Sequence, residues 1–280
     1  MKKENENKTD ELTFKDKSEY KYKCIEINKN TDAKAPFISV IVPAYQEEKI
    51  IEESLVCYTE LLKRKYNFEL IVSDGGSVDK TVEIAKKYAD KIVVHTDEKR
   101  QTIAGGRNNG AIAAEGDILV FINADTKPQD PEAFFQWISN WAENKNGYAK
   151  AGAIACKVYA DSDEITFKDK LFFSIHNCYV CFLNSLRIGM GRGECQIIKS
   201  EVFKSVNGYN ADVVAGEDFD LYRRISKKHL IKYSNELVVY ESLRRYRKFG
   251  YLRIVLTWSF NSISVMLRGK SISKIWEAVR

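Results

Sequence analysis

The sequence predicts an α/β fold with a mainly parallel central sheet covered by helices on both faces, and three observations carry that prediction. Continuous apolar runs of strand length recur at FISVIVP (37–43), FELIVSD (68–74), KIVVH (91–95) and DILVFIN (117–123). Stretches with apolar residues at helical spacing lie between them, and each run stops at a polar or turn-forming residue. Parallel neighbours need a crossover of helix length, so this alternation reads as successive βαβ units. With 280 residues, 44% hydrophobic and 30% charged, the chain can bury a sizeable core. That composition excludes collagen-like, wholly disordered and multi-span membrane classes.

Residues 1–35 are dominated by Lys, Glu, Asp and Asn, too little apolar surface to offset ordering entropy, and are expected to be a charged flexible tail. They begin with positive charge but carry no apolar run behind it, so a cytoplasmic protein is expected. A domain over 36–242 follows. Ile50, Ile51, Leu55, Tyr58, Leu61 and Leu62 predict a first helix, and Val78 to Tyr88 a second, capped by Ser77. Ala104 to Glu115 predicts a third, stopped by Gly116. A helix then opens at Asp130 with Pro131 in its first position, followed by an edge strand over Lys150 to Tyr159 and an aromatic helix over Lys168 to Leu186. Glu194 to Ile198 predicts a strand, Ser200 caps a short helix closed by Asn207 and Gly208, and Glu217 to Lys227 is helical.

Residues 243–280 form a basic, aromatic helical extension, too short and too interrupted by polar residues to predict a membrane span. Two fates stand open for it: packing back on the domain, or lying in a membrane interface with its cations on anionic headgroups. Phe172, Phe173, Tyr179 and Phe182 are expected to pack in the core. The six cysteines show no zinc or secreted-scaffold spacing, and read as reduced core thiols, with Cys178 and Cys181 buried on a helix face. A net charge of +5 suits an acidic substrate or anionic lipid and falls short of a nucleic-acid signature, so no nucleic-acid partner is expected.

Ligands of such sheets bind beyond the carboxyl ends of the strands. The first of these ends, Pro43-Ala44-Tyr45-Gln46-Glu47, has no glycine, and its carboxylate repels phosphate, which excludes a dinucleotide-dependent dehydrogenase. Glu47 can instead accept from a ribose hydroxyl or a base, and Tyr45 can stack. The glycines from Gly105 to Gly110 have the wrong spacing for a dinucleotide. At the second end, Asp74 precedes the Gly75-Gly76 turn. An acid closing an apolar strand needs a partner, either within that turn or on the ring nitrogen of a uracil or guanine. At the third end, Asn123 and Asp125 point to one side by the strand period, an arrangement that suits a hard divalent cation sharing a diphosphate. Asn123 cannot be a nucleophile, which excludes a haloacid dehalogenase-type phosphatase. Glu217, Asp218 and Asp220 open a helix ahead of Arg223 and Arg224. They either complement the helix dipole and pair along it, or supply a general base.

IVPAYQEE, SDGGSVDKTVEIA, GGRNNGAIAAEGDILVFINADT and GEDFDLYRR, in this order and spacing, resemble the inverting family-two glycosyltransferases of the GT-A fold, from about Phe37 to Tyr240. The likeness extends to transferases that use polyprenyl phosphate. It implies a nucleoside diphosphate sugar held by Pro43, Ala44, Tyr45 and Glu47, with Asp74 and Gly75 beside them and Arg107 near the diphosphate. It places Asn123 and Asp125 at the family's Asp-x-Asp with Mg²⁺ or Mn²⁺. Asp218 takes the position of the catalytic aspartate in a Glu217-Asp218 pair. It further implies a glycan or lipid-phosphate acceptor, phosphate contacts from Arg244, Arg245 and Arg247, and peripheral contact with the inner face of a membrane.

The sequence departs from the family twice. Asn123 replaces the first acid. Where the family often has a late metal-binding histidine, VVYES offers Glu241, and His229 sits earlier in a basic loop. His95, His176 and His229 are expected to be structural or solvated. Two other readings remain: a catalytically weakened sugar-nucleotide binding module, suggested by Asn123, and a nucleotidyltransferase of similar fold. The latter wants a glycine-rich basic loop where PAYQEE stands.

Overall fold

The computed structural model describes residues 21–27, 37–161 and 164–273. The expected tail lies mostly outside these residues, but part of it is a strand, β1 (Tyr22–Glu26). The four runs read from the sequence are β2 (Ile38–Ala44), β3 (Phe68–Asp74), β4 (Lys91–His95) and β5 (Ile118–Ile122). β2 pairs in parallel with both β3 and β5, and β3 with β4. Every residue of β3 and β5 is buried, as a strand covered on both faces requires.

Beyond β5 the sheet changes character. β6 (Thr126–Pro128), β7 (Ala151–Asp161), β8 (Cys195–Lys199) and β9 (Leu230–Ser242) complete the order β1-β4-β3-β2-β5-β8-β7-β9-β6. β8 runs antiparallel to β5 and β7, β6 antiparallel to β9, and β1 antiparallel to β4. The sheet is therefore mixed rather than mainly parallel. β7 is not an edge strand either: it lies between β8 and β9.

The first expected helix is broken into α1 (Ile51–Leu55) and α2 (Glu60–Tyr66). Thr59 caps α2 by accepting from the Leu62 amide, and Asn67 closes it in the left-handed region. α3 (Thr81–Ala85) begins later than expected, because the Ser77 hydroxyl accepts from the Gln46 amide of the neighbouring loop instead of capping a helix. α4 (Ile103–Ala113) is capped by Thr102, and α5 (Pro131–Ala142) by Asp130 with Pro131 in its first turn. α6 (Phe167–Ser185) opens with a capping box between Thr166 and Asp169. α7 (Ser200–Ser205) and α8 (Glu217–Ser226) follow, then α9 (Arg244–Phe249) and α10 (Tyr251–Arg268).

The two faces of the sheet bury separate cores. Ile38, Val40 and Val42 of β2 look toward Phe135 and Trp141 of α5, while Ile41 looks the other way, toward a cluster with Phe121, Phe203 and Tyr222. The carboxy-terminal helices are anchored on α6. Arg247 donates to both carboxylate oxygens of Asp169, at 2.8 and 2.7 Å, and Tyr251 donates to the same group. The thiols are free, but only Cys156 and Cys195 are buried; Cys24, Cys178 and Cys181 are exposed, contrary to the core reading. Tyr179 and Phe182 are exposed as well, because α6 turns only its other side to the sheet.

Gly116 does not stop α4, which ends at Ala113. Its backbone instead presses on β2: a Cβ there would sit 2.6 Å from the Ser39 nitrogen and 2.8 Å from the Ile38 carbonyl carbon. Its amide donates to the Ser39 hydroxyl, which donates in turn to Glu69. Gly116→Ala is expected to cost about 1–3 kcal/mol through overpacking against backbone. A lowered urea midpoint with unchanged slope would show it, whereas a wild-type midpoint would mean that the backbone yields freely.

Candidate active site

The carboxyl ends of β2, β3 and β5 meet at one cavity of about 690 Å³. Pro43, Ala44, Tyr45 and Glu47 line it from β2 and the loop beyond, and Ser73 and Gly75 from the end of β3. The two loops lock together: the Gln46 and Glu47 amides donate to Ser77 and Thr81, with Gln46 held in the left-handed region. A side chain at Gly75 would be tight against the rim, its Cβ 3.3 Å from the Tyr45 ring. Arg100 covers that ring at 5.3 Å. Asp74 is fully buried behind this rim. Its Oδ2 accepts from the Gly76 and Ser77 amides at 2.9 and 2.8 Å, while Oδ1 is buried without a hydrogen-bond partner.

On the floor of the cavity Arg107, on α4, is wholly buried. Its guanidinium donates to Glu217 at 2.8 Å, to the Asn123 side-chain oxygen at 3.0 Å and to the Gly193 carbonyl at 2.6 Å. It also lies 5.3 Å from the Tyr209 ring centre. One cation thus ties the end of β5 to the start of α8. Asp218 stands beside it and accepts from the Phe219 amide at 2.9 Å. Burial and the neighbouring Glu217 push the Asp218 carboxyl up to about 7, although Arg107 pulls the other way. A Cβ at Gly193 would lie 3.5 Å from the Asp218 carboxylate, so a glycine there leaves the carboxylate unobstructed.

A second charged cluster stands on the far wall. Arg192 pairs with Glu194 at 3.2 Å and with Glu241 at 3.5 Å, and Tyr246 donates to Glu241 at 3.0 Å. The Glu194 carboxyl is held below the usual range, because Arg192 overrides its burial. Glu241 is pushed well up by burial and by the charge of Glu194. Asp125 is raised by burial, opposed by Arg244 at 3.3 Å, which also reaches Glu47 at 3.4 Å. Burial and Arg192 lower His176 to about 3, so its imidazole is neutral.

Among the residues singled out in the sequence, those of the PAYQEE loop, Gly75, Arg107, Asn123, Asp125, Glu217, Asp218, Glu241, Arg244 and Arg245 all border this one cavity, with Asp74 directly behind Gly75. Arg107 reaches it only from beneath, its polar contacts directed at protein groups. Arg247 does not line it and is turned to Asp169. His229 is hydrogen-bonded to Ser205, away from the cavity. Sequence reasoning missed Arg192, Glu194, His176 and Trp258, all of which line the cavity. The glycine-flanked arginine of GMGRGEC was the available signal.

Comparison with known proteins places this geometry. Residues 39–174 match the family model described as glycosyl transferase family 2. Glycosyltransferase AglE of Haloferax volcanii is 31% identical over 115 residues, 40% of this chain and 36% of that protein. A dolichyl N-acetyl-alpha-D-glucosaminyl phosphate 3-beta-D-2,3-diacetamido-2,3-dideoxy-beta-D-glucuronosyltransferase of Methanococcus voltae is 26% identical over 218 residues, 72% of this chain and 65% of that protein. The chain thus spans between about a third and two thirds of the length of these relatives. The solved mannosyltransferase PcManGT from Pyrobaculum calidifontis, in complex with GDP-Man and Mn²⁺, superposes with a TM-score of 0.55 at 20% identity, covering 74% of this chain and 57% of that one. The chain has the GT-A fold, and its residues 39–174 are similar to the family 2 glycosyltransferases.

Proposed function

We propose that this chain is an inverting glycosyltransferase that moves a sugar from a nucleoside diphosphate to an acceptor oxygen on a lipid-linked or polysaccharide acceptor. The observation that carries this reading is the meeting, at one cavity, of the Asp74-Gly75 strand end, Asp125 and a half-buried Asp218 poised near neutrality. The named activity of the Methanococcus voltae relative supports a lipid-phosphate-linked acceptor, and the GDP-Man bound in the Pyrobaculum structure supports the donor class.

In this reading the base slides against Tyr45 and Gly75, and its ring N–H donates to the unpartnered Asp74 Oδ1. Glu47 takes a ribose hydroxyl. The acceptor oxygen attacks the anomeric carbon from the face opposite the diphosphate, and the bond to the leaving oxygen breaks as the new one forms, which inverts the centre. Asp218 removes the hydroxyl proton, and a carboxyl titrating near the working pH is suited to that transfer. With an acceptor that is already an ionised phosphate no proton needs removal, and Asp218 orients it instead.

The site's fit to a divalent cation rests on Asp125. Among the described residues no three His, Cys, Asp or Glu side chains converge to hold a metal by themselves. A hard cation bound chiefly through substrate phosphates needs only one or two carboxylates, and Asp125 is a half-buried acid with Arg244 beside it. Asn123 offers an amide oxygen already shared with Arg107. Bound there, Mg²⁺ or Mn²⁺ would stabilise charge on the departing diphosphate. The contacts of Arg244 and Arg245 at the same end of the cavity suit phosphate oxygens.

A screen of nucleoside diphosphate sugars by thermal shift, with and without Mg²⁺ and Mn²⁺, followed by a transfer assay, tests the reading. Selective stabilisation plus transfer supports it. Donor binding with neither transfer nor hydrolysis under any metal would leave a binding module. With a hydroxyl acceptor, kcat/KM is expected to rise with pH through about 7 as the Asp218 carboxylate forms. Asp218→Asn should lose that limb and about 10²–10⁴-fold in kcat while keeping donor affinity. Near-normal turnover of Asp218→Asn with that acceptor would remove Asp218 from the base role. Asp74→Asn, measured by calorimetry, is expected to weaken donor binding by roughly tenfold or more, the worth of one charge-assisted hydrogen bond. Unchanged affinity would place the base elsewhere.

A further inference from the structure

α6 and α10 each carry an outward apolar stripe with nothing described packed upon it. On α6 it runs through Phe167, Leu171, Ile175, Tyr179, Phe182 and Leu186, and on α10 through Leu252, Leu256, Phe260, Ile263 and Leu267. These residues are 46–78% exposed. Steps of three and four along each stripe put every member on one helical face. The helices touch through Phe172 against Tyr251 and His176 against Trp258, with ring centres 4.5 and 5.4 Å apart. On each helix these contact residues lie between the core-facing side and the exposed stripe. The two stripes therefore merge into one outward surface, larger than the scattered apolar residues a soluble protein shows.

The charges around this surface indicate its occupant. Residues 242–273 contain Arg244, Arg245, Arg247, Lys248, Arg253, Arg268 and Lys270 and no acid. Lys248, Arg253, Arg268 and Lys270 are exposed. Apolar helical faces edged by cations match an anionic bilayer surface, with side chains in the acyl boundary and cations among the headgroups. No helix among the described residues is long and apolar enough to cross a membrane, so α6 and α10 suit lying on it. The same helices wall the cavity: His176 of α6 and Trp258 and Ser262 of α10 line it.

We propose that the outward faces of α6 and α10 dock on an anionic lipid bilayer, bringing the cavity that the same helices wall close to the headgroups. This deepens the transferase reading by giving its acceptor a direction of approach, yet docking itself needs no catalysis. The test floats the full chain with vesicles of phosphatidylcholine alone or mixed with one third phosphatidylglycerol. It compares the parent with the double variant Phe182→Ser and Phe260→Ser, one substitution on each helix. The parent is expected to float with the anionic vesicles and only weakly with the neutral ones. The variant should lose at least tenfold in partitioning while its thermal midpoint and calorimetric donor affinity stay at parent values. A parent that stays in solution with both vesicles, or a variant that floats as well as the parent, overturns the proposal. So does a parent that sediments as a dimer and a variant that sediments as a monomer, because the face then belongs to a second copy. Loss of donor binding in both proteins would sink the transferase reading and leave the docking result standing.

Discussion

A charged group with no access to water must be matched by protein groups or it destabilises the fold, and Arg107 sets that condition at the centre of this molecule. Its three donations reach the tip of β5 through Asn123, the loop before β8 through Gly193, and the first turn of α8 through Glu217. These segments lie far apart in the chain and belong to opposite halves of the sheet. Their common need to satisfy one guanidinium fixes where Asp218 stands. The asparagine at position 123 also becomes intelligible. A carboxylate there would compete with Glu217 for Arg107, whereas the neutral amide accepts a hydrogen bond and leaves the positive charge to the Glu217-Asp218 pair.

Acids bordering the cavity have the same intrinsic chemistry and diverge through their neighbours. Glu194 is held ionised by Arg192, Glu241 is driven toward its neutral form by burial and by Glu194, and Asp218 is brought near neutrality between Glu217 and Arg107. Environments that push like groups apart create distinct roles in one pocket. Arg244 adds a further cation to this balance. It comes from the carboxy-terminal segment, is partly exposed, and touches Glu47 and Asp125, two acids from different loops of the donor end. On the proposed function, a diphosphate arriving there would meet a cation already in place.

The donor half of this arrangement was legible because it is local. A buried parallel strand writes itself as an apolar run, and the residue after it points at the ligand-binding edge, so Pro43, Asp74 and Asn123 marked the cavity before any coordinates. Spacing could not reveal pairings settled by distant partners. β1 is a five-residue edge strand recognised only through its ladder on β4, and its sequence is polar because one side faces water. The antiparallel turn of the sheet after β5 follows from β8 pairing across it, which no periodicity records. Spacing assigned no role to Arg192 and read Glu194 only as the start of a strand, and their burial against Glu241, more than forty residues on, is what joins them to the cavity. For Tyr179 and Phe182, aromatic composition argued for the core, but α6 buries just one side and leaves them outside.

The change from parallel to mixed pairing is what makes the cavity two-ended. In the parallel half, β4-β3-β2-β5, the strands deliver their carboxyl ends to one rim, which suits a ligand read by loops in series. In the other half, β8 enters from the opposite direction, so the loop that precedes it, carrying Gly193 and Glu194, arrives at the same rim as the Asn123 turn. The Asn123 amide indeed donates to the Glu194 carbonyl at 3.1 Å. The long β9 then ends beside β6 and hands the chain to α9 at Arg244, over the acids of the donor end. Because α10 is tied to α6 through Asp169, Arg247 and Tyr251, one wall of the cavity is a helix pair and not a sheet edge. A helix pair can turn one side to the cavity, where His176 and Trp258 line it, and leave the other side outward.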